Sequence, residues 1–312
     1  MKKGIKWIIA FSTVTFLVIL LRVFAFTSCF IPSSSGMGNT LLDGERICVN
    51  KWSYGLRLPL MSAFSYHRWR ERLVKEENIV VFNNPASKAS KIIDEREVFI
   101  GRCIGVPGDT LLTDSLFSNV IRKTENNPDK KQLYVYPTTK EGQMDSLLTF
   151  LSISPNRLMG NSKQGHIRSF SSYEYYLLKQ SIHGECWIKP QLQKQITTMK
   201  AFVVPGKGLS IRVNPWNIVL LRNTLVLHEG KNAEIKNGIL YIDNHPSTYC
   251  HFTKNYYWMT SGNSVNISDS RLFGFVPQDH IIGKPIFIWF SKKSETDLFN
   301  GYRWKRFFNS VN

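Results

Sequence analysis

Val98–Asp109, VFIGRCIGVPGD, is the stretch on which the reading of this chain turns. Its first seven residues, Val98–Ile104, are mostly β-branched, aromatic or small, and Gly105 and Pro107-Gly108-Asp109 follow at once. Branched and ring-bearing side chains fit a pleated, half-buried surface, and proline with glycine ends it, so the segment predicts a strand running into a turn. Five more runs share this form: Arg46–Asn50 (RICVN), Asn78–Phe82 (NIVVF), Ile218–Leu221 (IVLL), Ile239–Ile242 (ILYI) and Ile286–Phe290 (IFIWF). Gly44 and Asn237-Gly238 mark further turns. The polar stretch Ala63–Glu77 predicts one exposed helix. The expected class is mainly β, an antiparallel domain with few helices.

Composition sets the outer limits. The chain has 312 residues, 43% of them hydrophobic, with 20 Phe, 12 Tyr and 8 Trp, which excludes a disordered chain and supplies a sizeable core. Forty Lys and Arg against 23 Asp and Glu give a net charge of +17. A chain this basic has nucleic acid or an anionic membrane surface as its natural neighbour. No nucleic-acid-binding signature occurs, so no nucleic-acid partner is expected and the lipid bilayer is preferred. Cys29, Cys48, Cys103, Cys186 and Cys250 form no CxxC pair and no cluster with histidine, so neither a metal site nor a cofactor is expected. A Cys186–Cys250 disulfide stays open; buried thiols are the plainer reading.

The apolar N-terminus supplies the membrane. Trp7–Leu21 (WIIAFSTVTFLVILL) carries no charge, and Ile5–Phe26 as a whole is long enough to cross a hydrocarbon core. Lys2, Lys3 and Lys6 precede or open it, so the positive-inside rule places the N-terminus in the cytoplasm and the rest outside, in the periplasm of a two-membrane cell. Arg22 then sits at the outer interface, its head among lipid headgroups. Residues 1–4 read as a cytoplasmic tail, 5–27 as a transmembrane anchor, and 28–110 with 201–312 as the β domain. Residues 111–200 mix Tyr-, Lys- and Ser-rich stretches without a chemical motif and read as an inserted subdomain. Two rivals to the anchor remain, a cleaved signal peptide and a lipoprotein signal ending at Cys29.

Three separated islands resemble the type I signal peptidase family, in order. Ile31–Pro59 (IPSSSGMGNTLLDGERICVNKWSYGLRLP) is similar to I-P-S-x-S-M-x-P-T-L followed by G-D-x-x-x-V-N-K-x-x-Y-G, where the serine is the nucleophile. Phe99–Asp109 (FIGRCIGVPGD) is similar to Y-I-K-R-x-x-G-x-P-G-D, where the lysine is the base. Ser261–Pro277 (SGNSVNISDSRLFGFVP) is similar to G-D-N-R-D-N-S-x-D-S-R-x-x-G-x-V-P. The single apolar segment and the RWKRFF run at Arg303–Phe308 also resemble the family. The resemblance implies a membrane endopeptidase fold, signal peptides of exported proteins as substrates, an oxyanion donor at Ser33, and apolar binding positions at Ile31, Pro32, Met37, Leu41 and Ile100. It also implies an ionic brace of Arg102, Asp269 and Arg271.

The departures fall on the chemistry. Aligned from Ile31-Pro32, the nucleophile position is Ser35; aligned from Met37…Thr40-Leu41, it is Gly36. Both alignments stand. The lysine position is Gly101 without any gap, and the position of the lysine-orienting serine is Ile267. Arg102 is no substitute, because a guanidinium stays protonated. Lys88 and Lys91 are the replacement amines to consider, in a polar stretch. A serine hydroxyl needs a base to become a nucleophile, and a positioned base contributes about 10²–10⁴-fold. Loss of one member of a coupled pair costs up to about 10⁶ in turnover. The expectation is therefore a pseudoenzyme that holds signal peptides or a membrane partner. The alternatives are an active peptidase using Ser35 with a non-standard base, and an envelope lipoprotein lipidated at Cys29.

Overall fold

The computed structural model describes the chain except for residues 1, 32–36, 38–39, 60, 62–65, 88–89, 114–119, 122–130, 154–155, 157, 163–164, 183–186, 192–199, 262–268, 294–298 and 312. Helix α1 (Lys2–Phe24) contains a stretch, Ile5–Phe24, of mean hydropathy 2.2, none of it buried against the rest of the protein. At 1.5 Å per residue its 20 residues extend about 30 Å, the depth of a bilayer's hydrocarbon. The helix ends before Phe26, short of the expected Ile5–Phe26. Phe26 and Thr27 are already committed to strand β1 (Phe26–Phe30), opposite Asn50 and Val49.

The main sheet joins β1 to β2 (Glu45–Asn50), β3 (Ile79–Asn83), β4 (Val98–Gly105), β5 (Tyr256–Thr260), β6 (Val276–Pro277) and β7 (Ile281–Ser291), in the spatial order β1-β2-β7-β3-β4-β5-β6. Every neighbouring pair is antiparallel. Successive side chains on a strand face opposite ways, and β3 shows the consequence. Ile79 and Val81 enter a cluster with Ile31, Ile47 and Ile100, whereas Val80 and Phe82 enter another with Cys103, Tyr257 and Met259. The expected strands at 46–50, 78–82, 98–104 and 286–290 all fall in this sheet. Ile239–Ile242 instead forms a hairpin with Ala233–Lys236 across Asn237-Gly238, whose φ angles of 51° and 77° suit a tight two-residue turn.

Residues 131–191 carry a core of their own. Strands at Lys131–Tyr136, Gly160–Ser162, Gly165–Ser171 and Lys189–Pro190 form a separate four-stranded sheet. Helices α2 (Glu141–Phe150) and α3 (Ser172–Ser181) belong to the same unit, and its buried cluster includes Tyr134, Tyr136, Met144, Phe170 and Leu178.

Two expectations fail. Ile218–Leu221 is not a strand but the first turn of α4 (Ile218–His228), which buries Ile218, Leu221 and Leu225 at helical spacing. The four-residue apolar run was too short to distinguish the two periods. Ala63–Glu77 is not a helix among its described residues: Arg68–Trp69 pairs with Leu56–Arg57, and Arg70 and Glu77 have φ of 52° and 61°, incompatible with a right-handed helix. Cys250 is a free thiol buried in the core around α4, so it joins no Cys186–Cys250 disulfide; Cys186 itself lies outside the described residues.

Candidate functional site

Gly101 occupies the middle of β4, opposite Val80 of β3. A Cβ added to it would meet the Met259 Cβ at 3.2 Å, and Phe82 Cε1 and the Thr260 carbonyl oxygen at 3.4 Å. These surroundings are apolar, of the kind that keeps an amine neutral, but they fit tightly around the first side-chain carbon. Phe82 packs edge-on against Phe99 (centroids 6.3 Å apart) and Phe99 stacks on Phe273 (5.8 Å), which closes the same side of the strand.

The other side of β4 carries Ile100. It shares one buried cluster with Ile31, Met37 and Leu41, so four of the five positions expected to bind a peptide come together. They are the floor of that region rather than its open surface, each no more than 3% exposed. Pro32, Ser33, Ser35, Gly36 and Ile267 lie outside the described residues.

Below the sheet Asp269 is completely buried. Its Oδ2 accepts from Arg271 Nη2 at 2.7 Å and from the Ser261 backbone N–H at 2.7 Å, and its Oδ1 accepts from Arg271 Nε at 3.0 Å. Ser270, next in sequence, accepts from the Met259 N–H at 2.9 Å, so the short helix α5 (Ser270–Phe273) is pinned to β5 beside Gly101. Arg102 donates to the Glu77 carbonyl at 3.0 Å, with the Glu77 carboxylate 3.8 Å away.

A cavity of about 590 Å³ opens beside the Ile100 cluster. Thr27–Phe30 of β1 form one wall, Val81 and Asn83 of β3 with Val98 of β4 the other, and Ile282 helps to floor it. Cys29, Val81 and Ile282 belong to the cluster that also holds Ile31 and Ile100, so cavity and expected binding positions are continuous. β1 is the terminal strand of the sheet, with its outer edge unpaired among the described residues. Burial raises the Cys29 thiol to about 11, which leaves it protonated and a poor nucleophile.

The far end of the cavity, beneath the last turn of α1, is polar: Arg22, Lys51, Arg57 and Asp94. Lys51 Nζ donates to the carbonyls of Arg22 and Val23 at 3.1 and 2.9 Å. Burial, then the charges of Arg57 and Arg22, lower its pKa, and Asp94 opposes them. Arg57 is paired with Asp94 at 2.6 Å and donates to Asn83 Oδ1 at 3.0 Å. Sequence reasoning missed this group. Its one signal was Lys51 within Val49-Asn50-Lys51, since nothing local announces that residues 22, 51, 57 and 94 converge. It also missed Glu45, wholly buried, which accepts from Arg306 Nε at 2.8 Å and Nη2 at 3.0 Å and thereby ties the Arg303–Phe308 run to the start of β2.

A family profile described as "Signal peptidase, peptidase S26" matches residues 4–144 and 226–290, more than half of the chain. The chain belongs to that family. The signal peptidase I of Buchnera aphidicola subsp. Schizaphis graminum is 27% identical over 295 residues, covering 94% of this chain and 78% of that relative. The signal peptidase I of Helicobacter pylori strain J99 is 24% identical over 317 residues, covering 95% and 90%. That of Pseudomonas fluorescens is 33% identical over 107 residues, about a third of each chain. The two matched blocks of the signal peptidase family contain β1 to β4 on one side and β5, β6 and all but the last residue of β7 on the other, so both the Gly101 strand and the Asp269–Arg271 pair lie within them.

Proposed function

We propose that this signal peptidase family member is a membrane-anchored binding protein that holds signal peptides, or a membrane partner presenting a similar extended segment, without cutting them at a useful rate. The observation that carries this reading is Gly101. The position matched to the family's base has no amine, and even a first side-chain carbon there would stand 3.2 Å from the Met259 Cβ and 3.4 Å from Phe82. An alcohol near residue 35 without a proton acceptor leaves only oxyanion stabilisation and binding, roughly 10³–10⁴ over water in related serine sites. Binding has what it needs. The edge of β1 offers free backbone groups for strand addition, and the apolar floor of Cys29, Val81 and Ile282 accepts side chains. On this reading α1 is the anchor, its N-terminus cytoplasmic, and the β domain works on the extracytoplasmic side. Lipidation at Cys29 fits less well, because its thiol points into the packed cluster around Ile31 and Ile47.

One observation favours a second reading, an active peptidase with a non-standard base: Lys51 lies in the cavity with a lowered pKa. Both its acceptors are α1 carbonyls at the polar end, so its N–H groups are turned toward the helix terminus. Lys91 is exposed, and Lys88 lies outside the described residues. The test is a cleavage assay on purified full-length chain with a signal-peptide substrate, alongside a peptide-binding titration. Saturable binding without turnover is expected. Cleavage that disappears in Ser35→Ala would overturn the proposal, and a pH–rate profile altered by Lys51→Gln would assign the base. Gly101→Lys combined with Ile267→Ser and deletion of Gly36 is the variant expected to gain turnover.

A further inference from the structure

The cavity's polar end has an imbalance of charge that peptide binding does not explain. Three cations, Arg22, Lys51 and Arg57, line it against one carboxylate, Asp94, and that carboxylate is engaged by Arg57. Lys51 spends two of its three N–H groups on the last carbonyls of α1, whose helix terminus offsets about half a charge. Arg22 has no side-chain hydrogen bond or ion pair among the described residues. An uncompensated charge of more than one unit therefore stands in a partly enclosed space, and an anion there would relieve the repulsion among these cations, which adds to burial in lowering the Lys51 pKa.

We propose that this end of the cavity binds the phosphodiester of an anionic phospholipid headgroup. The inference rests on the reading of α1 as a membrane anchor. Arg22 is in the last turn of the apolar helix, and Lys51 is hydrogen-bonded to that same turn, so both sit at the level where headgroup phosphates are concentrated. Aromatic side chains flank the position. Phe26 and Phe30 project outward from β1, and Trp52, adjacent to Lys51, is edge-on to Trp69 at 5.9 Å, with Arg70 over the Trp69 ring at 4.9 Å. Half-exposed rings beside cations are the composition of a membrane–water interface. A soluble phosphate would satisfy the same cations but would gain nothing from those rings. A bound lipid would set the height of the cavity relative to the bilayer, where an emerging signal peptide leaves its apolar segment.

The test uses full-length chain reconstituted in phosphatidylcholine vesicles, with spin-labelled phosphatidylglycerol or spin-labelled phosphatidylcholine as the reporting lipid. The fraction of each label immobilised by the protein gives the relative association constant. Wild type is expected to prefer phosphatidylglycerol about twentyfold, and Arg22→Gln and Lys51→Gln each to reduce that preference about fivefold. Glutamine at 51 keeps an N–H donor for the α1 carbonyls, so the junction is preserved. Lys207→Gln removes one exposed charge away from the cavity and should leave the preference unchanged. No preference in wild type, or a preference that survives both cavity variants, overturns the proposal. Displacement of the label by inorganic phosphate at equal concentration also overturns it, assigning the cations to a soluble anion. A chain that does not enter the vesicles at all refutes the anchor reading instead.

Discussion

Gly101→Ala adds one carbon at the place where the family's base would leave the backbone. That carbon would stand 3.2 Å from the Met259 Cβ, closer than carbons pack comfortably, and 3.4 Å from Phe82 and from the Thr260 carbonyl. Met259 cannot swing aside, because the contacting atom is attached directly to the backbone of β5. That strand is paired with β4 through Met259–Cys103 and Thr260–Arg102, and its Met259 N–H is held by Ser270 Oγ. Overpacking of a closed core costs about 1–3 kcal/mol. Replacing glycine in a strand interior returns about 0.5–1 kcal/mol of backbone entropy. The net expectation is a destabilisation of about 1 kcal/mol, or a melting temperature about 2–4 °C lower for a domain of this size. Gly101→Lys, which must also place three further methylenes and an amine, should cost more and should not by itself bring cleavage. Thermal unfolding of the full-length chain in detergent, followed by near-ultraviolet circular dichroism of the buried aromatic core, measures both. An alanine variant that melts at or above the wild-type temperature would refute the claim that the lysine's place has been filled rather than merely vacated.

Two further outcomes follow from buried charge. His228 is held at about 3, chiefly by burial and then by the neighbouring His280, against an ordinary histidine value of 6.5. The unfolded chain therefore takes up this proton first as pH falls. Stability should be complete above about pH 6.5 and decline toward pH 3, by up to about 5 kcal/mol. His280, lowered in the same direction by burial, donates from Nδ1 to Asp279 at 2.7 Å and faces Arg96 at 3.2 Å through Nε2, so its protonation opposes the fold as well. Melting temperature against pH checks this, and His228→Gln should flatten the acid limb; an unchanged limb removes His228 as the cause. Arg306→Met leaves the Glu45 carboxylate buried without its cation and should cost about 3–5 kcal/mol in urea unfolding. A loss below about 1 kcal/mol would mean that the pair does not secure the start of β2.

What the sequence disclosed depended on how far each signal reached along the chain. Branched and aromatic residues closed off by turn residues mark β3 and β4, and Asn237-Gly238 states its own turn, so these elements were legible without a partner. Ile218–Leu221 was not, because four apolar residues suit either period and the deciding positions, Leu225 and His228, come later. In Ala63–Glu77 polarity suggested an exposed helix, whereas the backbone takes left-handed conformations at Arg70 and Glu77 that no composition announces. The cavity was invisible for a stronger reason: Arg22, Lys51, Arg57 and Asp94 come from four separate segments, and only the tertiary fold makes their charges one site.

Gly101 shows most clearly where the two kinds of information divide. That a glycine stands where the family resemblance would put a lysine is legible from neighbouring residues, but what this means physically is not. An empty slot would leave an apolar pocket ready to depress the pKa of any amine that reached it, and a single substitution would then go far toward restoring a base. A filled slot means that β5, Phe82 and the Ser270 anchor have settled into an arrangement without the lysine, so the substitution must displace packing before it can supply chemistry. The 3.2 Å approach of Met259 favours the second case. The Asp269–Arg271 pair and the Ser270 hydrogen bond persist in that arrangement because they hold α5 against β5, a structural task that needs no base.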